Sequence, residues 1–146
     1  MAFQDIEGQI VWKVHFSSPQ EKVYQTLTTD EGRGKFWAER TTERQGMIEF
    51  NILNYPKYNA KIIENKPSQL FSIEYFGTTV TFRLSKAPNN ETDLTLNVTV
   101  QDELLKREMT AGWVSVLMAM KAAVDFDVDL RNHDPRRVWE NGYLDN

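Results

Sequence analysis

Segments in which apolar and polar residues alternate fill most of the first hundred positions of the chain. In QIVWKVHF, residues 9–16, apolar side chains occupy every second position from Ile10 to Phe16. A period of two over eight residues predicts a strand with one buried face. Five further segments between residues 48 and 100 repeat this pattern, each bounded by glycine, proline or asparagine. The pattern predicts an antiparallel sheet of six or seven strands with one solvated face.

Two short helices are predicted after the first strand. In SSPQEKVYQTL, Ser18 is a favourable N-cap, Pro19 suits the first helical position, and Glu21 completes a capping box. Val23 and Leu27, four residues apart, give this helix a narrow apolar face. The following TTDEGRGKFWAE predicts a turn and a second short helix, weakened by two glycines, that ends in a Phe-Trp pair.

The longest helix is predicted from about Asp102 to Leu130. Lys121 and Asp125, four residues apart, are expected to form an outward-pointing ion pair on it. Its apolar residues recur at intervals of three and four, which is typical of an amphipathic helix, and they are Leu105, Met109, Trp113, Val116, Met120 and Val124, with Leu117 beside them.

These elements predict an α+β fold that contains interior space. Six strands at about 4.8 Å spacing span roughly 29 Å, whereas one helix covers about 10–12 Å. A flat sheet would leave much of its apolar face bare, which soluble proteins avoid. We therefore expect the sheet to curve around the long helix, with the two short helices closing one end and a cavity between helix and sheet.

Gly112 lies inside the long helix, on its inward face and next to Trp113. A glycine at such a position costs roughly 1 kcal/mol relative to alanine, so its presence requires a reason. One interpretation is a close approach of a strand or an aromatic ring to the helix. The other is that the missing side chain leaves room for a ligand. The sequence leaves both interpretations open.

The chain resembles the SRPBCC or START-like superfamily, whose architecture is the helix-grip fold. The matching stretches are PQEKVYQTLTTDEGRGKFW, NAKIIENKPSQLFSIEYF and VTFRLSKAPNNETDLTLNVTV, and the resemblance covers about residues 9–130. The most similar branch is the C-terminal domain of the activator of heat-shock protein 90 ATPase, with its Gly-Trp pair followed by a leucine, here Gly112, Trp113 and Leu117. The resemblance implies a deep cavity between the long helix and the sheet, used in the superfamily for hydrophobic small molecules. It also implies diversity, since lipid carriers, cyclases and co-chaperones share the scaffold.

The inward positions supply the predicted lining of this cavity. Most of its members are also expected to serve as ordinary core, and Met109 and Met120 add adaptable apolar surface. Tyr58 and Tyr75 stand out because a buried phenol needs a hydrogen-bond partner, which a ligand can supply. The predicted lining residues are Trp12, Phe16, Trp37, Phe50, Tyr58, Phe71, Tyr75, Phe82, Met109, Gly112, Trp113, Val116, Leu117 and Met120.

Composition limits the chemistry and the partners. The chain has 146 residues, a net charge of -4 and no cysteine, which excludes disulfides and thiolate sites. With no basic cluster and no long apolar run, we expect neither nucleic acid nor a membrane span as a binding mode. We expect one cytoplasmic domain over residues 1–131, followed by a C-terminal tail, residues 132–146, that docks partly on it.

Few residues point to catalysis or to metal binding. His15 is predicted to be a solvated surface residue and His133 to lie in a turn, so neither is assigned a catalytic role. Asp125, Asp127 and Asp129 alternate and are interpreted as a solvated helix end, and GRGK at residues 32–35 lacks the spacing of a phosphate-binding loop. We therefore predict no metal and no cofactor.

The sequence favours binding over catalysis. The first hypothesis is a binding protein for a small, mostly hydrophobic, aromatic or lipid-like molecule, present as a monomer or weak homodimer. The alternative is a stress-related co-chaperone or protein-interaction module with a chaperone partner. A cyclase-like enzyme ranks lowest, because the strand phases place the charged residues Glu49, Glu74, Lys61 and Arg83 outward.

Overall fold

Seven antiparallel strands form one sheet around a long helix in the computed structural model, which describes residues 6–146. The helices are α1 (Gln20–Thr28), α2 (Asp30–Arg33) and α3 (Glu103–Phe126). The strands are β1 (Gln9–Phe16), β2 (Arg40–Arg44), β3 (Met47–Asn51), β4 (Tyr58–Lys66), β5 (Leu70–Tyr75), β6 (Thr78–Ala87) and β7 (Glu91–Thr99). Their order across the sheet is β1-β7-β6-β5-β4-β3-β2. The predicted α+β helix-grip architecture is confirmed.

Tight turns join neighbouring strands and set their register. Gln45 and Gly46, between β2 and β3, have φ values of 49° and 78°, and Phe76 and Gly77, between β5 and β6, have 49° and 77°. Two successive residues with positive φ make a turn whose twist matches that of the strands, and glycine adopts it without strain. The register that follows places Phe71 opposite Phe82 on the buried face.

The strand β2 has no counterpart in the sequence prediction, because RTTER lacks an apolar alternation. Only Thr41 of this strand is buried. The strand is held by pairing with β3 and by the fully buried side chain of Arg33, at the end of α2. The Arg33 guanidinium donates to Thr41 Oγ1 at 3.1 Å, to Asp30 Oδ1 at 2.8 Å and to Glu43 Oε1 at 3.0 Å. A buried arginine is tolerated because its donors are paired in this way.

The predicted capping box at the start of α1 is wrong. Pro19 occupies the N-cap, and no side chain caps the helix. The Ser18 hydroxyl instead donates to Asp125 Oδ1 at 2.7 Å, and the Ser17 amide donates to Asp125 Oδ2 at 3.0 Å. The loop after β1 is thereby tied to the end of α3.

The Lys121–Asp125 pair forms at 3.2 Å, but its predicted outward orientation is wrong, since the Asp125 side chain is only 1% exposed. Burial alone would raise the pKa of this carboxyl, and the hydrogen bonds from Ser17, Ser18 and Lys121 more than offset that effect, so the pKa is lowered. Asp125 is thus a buried anchor rather than part of a solvated helix end.

Helix α3 starts at Asp102, whose carboxylate accepts from the amides of Leu104 and Leu105 at 2.8 and 3.1 Å. It ends where Asp127 adopts a left-handed conformation with φ 53°. By length and hydropathy alone α3 could cross a membrane. In this fold its inward residues, including Trp113, Leu117 and Met120, are buried in the core.

Replacing Arg33 with alanine is expected to lower the free energy of unfolding by about 3 kcal/mol, because it removes a fully buried side chain and its hydrogen bonds and opens a cavity. Urea unfolding followed by circular dichroism measures the change. Arg136→Ala is the matched control: Arg136 pairs with Asp134 at 3.1 Å but is 83% exposed, so the unfolding midpoint should hardly move. Equal effects of the two substitutions would contradict the structural role of Arg33.

Candidate functional site

A cleft of about 600 Å³ lies between α3, the far end of the curved sheet and the chain that follows α3. Its walls are mainly apolar, and its polar side chains include Glu39, Glu108 and His133. A volume of this size is in the range that small-molecule sites occupy. Its wall is formed by Phe36, Trp37, Ala38, Glu39, Ile52, Leu53, Tyr55, Tyr75, Phe76, Leu105, Glu108, Met109, Gly112, Trp113, Val114, Ser115, Val116, Met118, Ala119, Leu130, Arg131, His133, Trp139, Leu144, Asp145 and Asn146.

The predicted lining residues divide into three groups in the structure. Six of them line this cleft: Trp37, Tyr75, Met109, Gly112, Trp113 and Val116. Trp12 lines a second cleft on the other side of α3. The remaining seven are part of the hydrophobic core or pack against it, and do not reach the wall of the first cleft: Phe16, Phe50, Tyr58, Phe71, Phe82, Leu117 and Met120. The alternation along a strand predicts which residues lie on its buried face. It does not predict whether such a residue lies at the cleft wall or deeper in the core.

Trp37 is the centre of an aromatic cluster beneath the cleft. Its ring centroid lies 4.9 Å from that of Phe50, 5.5 Å from Tyr75, and 5.7 Å from both Phe82 and Trp113. The interplanar angles of 57–66° are edge-to-face or tilted arrangements, which aromatic quadrupoles favour. The segment after α2 therefore places a tryptophan between the sheet and α3, in contact with aromatic rings of both.

The two tyrosines singled out from the sequence satisfy their hydroxyls differently. The indole N–H of Trp37 donates to the Tyr75 hydroxyl oxygen at 3.2 Å, and burial raises the pKa of Tyr75 far above its ordinary value. The Tyr58 hydroxyl donates to Glu74 Oε1 at 2.6 Å. Burial and then the Glu74 carboxylate raise the pKa of Tyr58.

Gly112 faces open space. A Cβ built on it meets no other atom within 4 Å, apart from its immediate neighbours. The interpretation of Gly112 as a point of close helix–sheet contact is therefore wrong. Because Gly112 also lines the first cleft, the missing side chain enlarges that cleft.

The C-terminal tail contacts the body on several sides of the cleft. The Trp139 indole N–H donates to Glu108 Oε2 on α3 at 3.0 Å, and the Pro135 carbonyl accepts from Asn54 Nδ2 at 2.6 Å. Val138 is only 5% exposed. The tail is also closed on itself, since the Asn132 amide donates to the Asp145 carbonyl at 2.6 Å.

The tail separates two spaces along α3. The second cleft, of about 630 Å³, is lined by Trp12, Lys106, Arg107 and neighbouring residues of α3. Both clefts share four wall residues: Val114, Ser115, Trp139 and Leu144. Two of these four belong to the tail, so the tail is part of the wall between the clefts.

Ionic contacts and hydrogen bonds hold the segment after α3 against the segment after α2, at the wall of the cleft. His133 lies between two carboxylates, with Nδ1 2.6 Å from Glu39 Oε2 and Nε2 2.8 Å from Asp129 Oδ2. The hydrogen bond to Asp129, and then that to Glu39, raise the pKa of His133 despite its partial burial. Burial would raise the pKa of Asp129, but the bonds from Arg131 and His133 lower it to about 2. Arg131 also donates to the carbonyls of Ala38 and Gly34 at 2.8 and 2.7 Å.

Both histidines thus have carboxylate partners. His15, predicted to be solvated, has a half-exposed side chain bonded to Asp93 at 2.8 Å and Glu91 at 2.7 Å, and these bonds raise its pKa. Within residues 6–146, no three His, Cys, Asp or Glu side chains come together as ligands for a metal ion.

Sequence reasoning missed the part of the wall that comes from the loop after β3 and from the tail. Ile52, Leu53 and Tyr55 belong to that loop, and Leu144 to the tail. The apolar residues of the otherwise polar tail predict that it docks on the domain. They do not predict which surface it contacts.

Comparison with known proteins identifies structural neighbours only. No family model matches the sequence, and no curated protein is similar to it. Protein SSP2350 from Staphylococcus saprophyticus superposes with a TM-score of 0.74 at 23% identity, over 84% of this chain and 96% of that one. The Aha1 dimer from Colwellia psychrerythraea gives a TM-score of 0.71 at 21% identity, over 81% and 96%. CalU16 from Micromonospora echinospora gives 0.66 at 20%, over 82% and 77%. At these identities the likeness establishes the fold alone.

Gly112→Ala is expected to stabilise the protein by about 0.5–1 kcal/mol, because alanine is the better helix former and its methyl group enters open space. Gly32→Ala is the contrasting variant, because its Cβ would lie 2.1 Å from the Thr26 carbonyl oxygen. Thermal unfolding of both proteins measures the changes. A destabilised Gly112→Ala protein would contradict the open space described at this position.

Stability should depend on the protonation of His133. Its pKa is raised, so its contribution is complete below the unfolded value of about 6.5 and is lost as pH rises through the folded value. Urea unfolding from about pH 5.5 to about pH 9 should reveal this loss, and His133→Gln should flatten it. His15 has a pKa raised in the same direction, so the comparison is made in a His15→Gln background. An unchanged pH profile after His133→Gln would contradict the ionic contact.

Proposed function

We propose that this protein binds a small, mostly hydrophobic molecule in the first cleft, between α3 and the curved sheet. The observation that carries the proposal is the open space at Gly112, on the wall of an apolar cleft of about 600 Å³. An inward helical position is normally filled by a side chain, because protein interiors are packed to high density. Leaving it empty costs stability and gains volume, which fits a site that holds a ligand.

The chemistry of the wall supports binding rather than catalysis. His133 is the histidine that lines the cleft, and both of its ring nitrogens are hydrogen-bonded to carboxylates. A general base needs a free nitrogen within reach of the substrate. Tyr58 and Glu74, which form the short phenol–carboxylate bond, are not among the cleft wall residues.

Native mass spectrometry of the purified protein, with solvent extraction of any bound compound, tests the proposal directly. A thermal-shift screen against lipids and aromatic compounds tests for a ligand that is lost during purification. We expect a bound compound or a set of related hits that raise the melting temperature. A protein that carries no compound and responds to none of the library would overturn the proposal.

Filling the cleft from Gly112 should abolish binding without unfolding the protein. Gly112→Phe places a ring where no atom now lies within 4 Å of the Cβ, and we expect at least about a tenfold loss of affinity for any hit. Isothermal titration calorimetry measures the loss.

Leu104→Phe is the matched control, because it adds a ring to the same helix at a residue that is 71% exposed and lines neither cleft. It should bind like the unaltered protein. Equal affinity of the two variants would place the ligand elsewhere.

A second candidate is a protein-interaction module of the kind named by the resemblance to the activator of heat-shock protein 90 ATPase. It is favoured by the likeness to the Aha1 dimer and by three exposed apolar residues after and at the end of α3, Phe126, Val128 and Leu130. A pull-down with heat-shock protein 90 and a measured ATPase rate test the partner, and sedimentation tests for a homodimer. A monomer that neither binds nor stimulates the chaperone would remove this candidate.

A further inference from the structure

Among residues 6–146, no group accepts the hydroxyl proton of Tyr75. The residue is 9% exposed and lines the first cleft. Its oxygen accepts from the Trp37 indole N–H at 3.2 Å, and no residue of the described chain, 6–146, accepts the Tyr75 O–H in return. The contrast is Tyr58, whose O–H is used by Glu74 at 2.6 Å.

An unused donor at a largely buried position has an energetic consequence. A phenol carries one donor, and leaving a buried donor unpaired is unfavourable. Burial raises the pKa of Tyr75, so the group remains protonated over the whole physiological range. The bond from Trp37 polarises the hydroxyl and makes its proton a better donor, as in hydrogen-bonded chains generally. Tyr75, a residue of the cleft wall, therefore carries a permanent donor that has no acceptor in the described part of the chain.

Charges at the wall of the cleft argue against an anionic ligand. Glu39, Glu108 and Asp145 are carboxylates of this wall. The cationic side chains beside them are engaged: Arg131 with Asp129 and two carbonyls, and His133 with Glu39 and Asp129. A ligand carboxylate would meet like charges in a partly desolvated space, which is unfavourable.

We propose that the ligand is an uncharged, largely apolar molecule with one carbonyl-type acceptor, and that this acceptor takes the hydrogen bond of the Tyr75 hydroxyl. The proposal rests on the binding function proposed above and specifies the class of ligand. Tyr75 is then the residue that orients the ligand, while Trp37 holds the Tyr75 hydroxyl in position and the apolar wall supplies the bulk of the contact.

Two probes of the same shape separate the hydrogen bond from the apolar contact: 9-fluorenone, which carries a carbonyl, and fluorene, which does not. We expect 9-fluorenone to bind about five- to tenfold more tightly than fluorene, as one net hydrogen bond permits. Tyr75→Phe should remove this preference, so that 9-fluorenone and fluorene bind equally. The anionic probe 9-fluorenone-4-carboxylate should bind more weakly than 9-fluorenone.

The infrared carbonyl stretch of bound 9-fluorenone gives a readout that does not depend on affinity. It should move to lower frequency than in alkane solvent with the unaltered protein, and return in Tyr75→Phe. Tyr58→Phe is the control, since its hydroxyl is bonded to Glu74 and does not line the cleft. If Tyr75→Phe does not fold, the stretch of 9-fluorenone in the unaltered protein still decides whether the carbonyl accepts a hydrogen bond.

The outcomes distinguish the two proposals. If neither fluorene nor 9-fluorenone binds, and the library screen is also negative, the binding function itself fails. If both bind equally, or the carbonyl shift persists in Tyr75→Phe, the cleft binds apolar molecules but Tyr75 is not the donor, and the present inference is overturned. Tighter binding of the carboxylate probe would overturn the exclusion of anions.

Discussion

One constraint organises this molecule: a single long helix has to cover the apolar face of a seven-stranded sheet. Strands about 4.8 Å apart make such a sheet roughly 34 Å wide, about three times the width of a helix. α3 contacts β1 at one end of the sheet, while β2 and β3 lie at the other. The part of the apolar face that α3 does not cover must be covered by other elements of the chain.

Aromatic side chains and the C-terminal tail provide the remaining cover. Trp37 brings together rings from β3, β5, β6 and α3, and the tail crosses the outside of α3 with Trp139 bonded to Glu108. The cleft is what remains, and Gly112 widens it where a larger side chain would have closed it.

The same constraint explains why proteins of low sequence identity share this fold. It also explains why the fold alone does not define the function. Proteins 20–23% identical to this chain adopt the architecture, because curvature, turns and an amphipathic helix can be specified by many sequences. Ligand preference depends on a few polar groups in the remaining space. Under the proposed function those groups are the Tyr75 hydroxyl and the carboxylates of the cleft wall, and the contacts of Trp37 and His133 hold two of them in place.

The fold class, six of the seven strands, the long helix and the buried faces of these elements follow from the sequence alone, because alternation and helical periodicity are local properties. The sequence does not predict β2, whose RTTER is held by the Arg33 side chain, or the role of Ser18, whose hydroxyl bonds to Asp125 instead of capping α1. It also leaves the meaning of Gly112 open, and it does not separate the lining residue Trp113 from the core residue Leu117 on α3. These points required the folded structure, because each depends on which side chains from different elements meet in space.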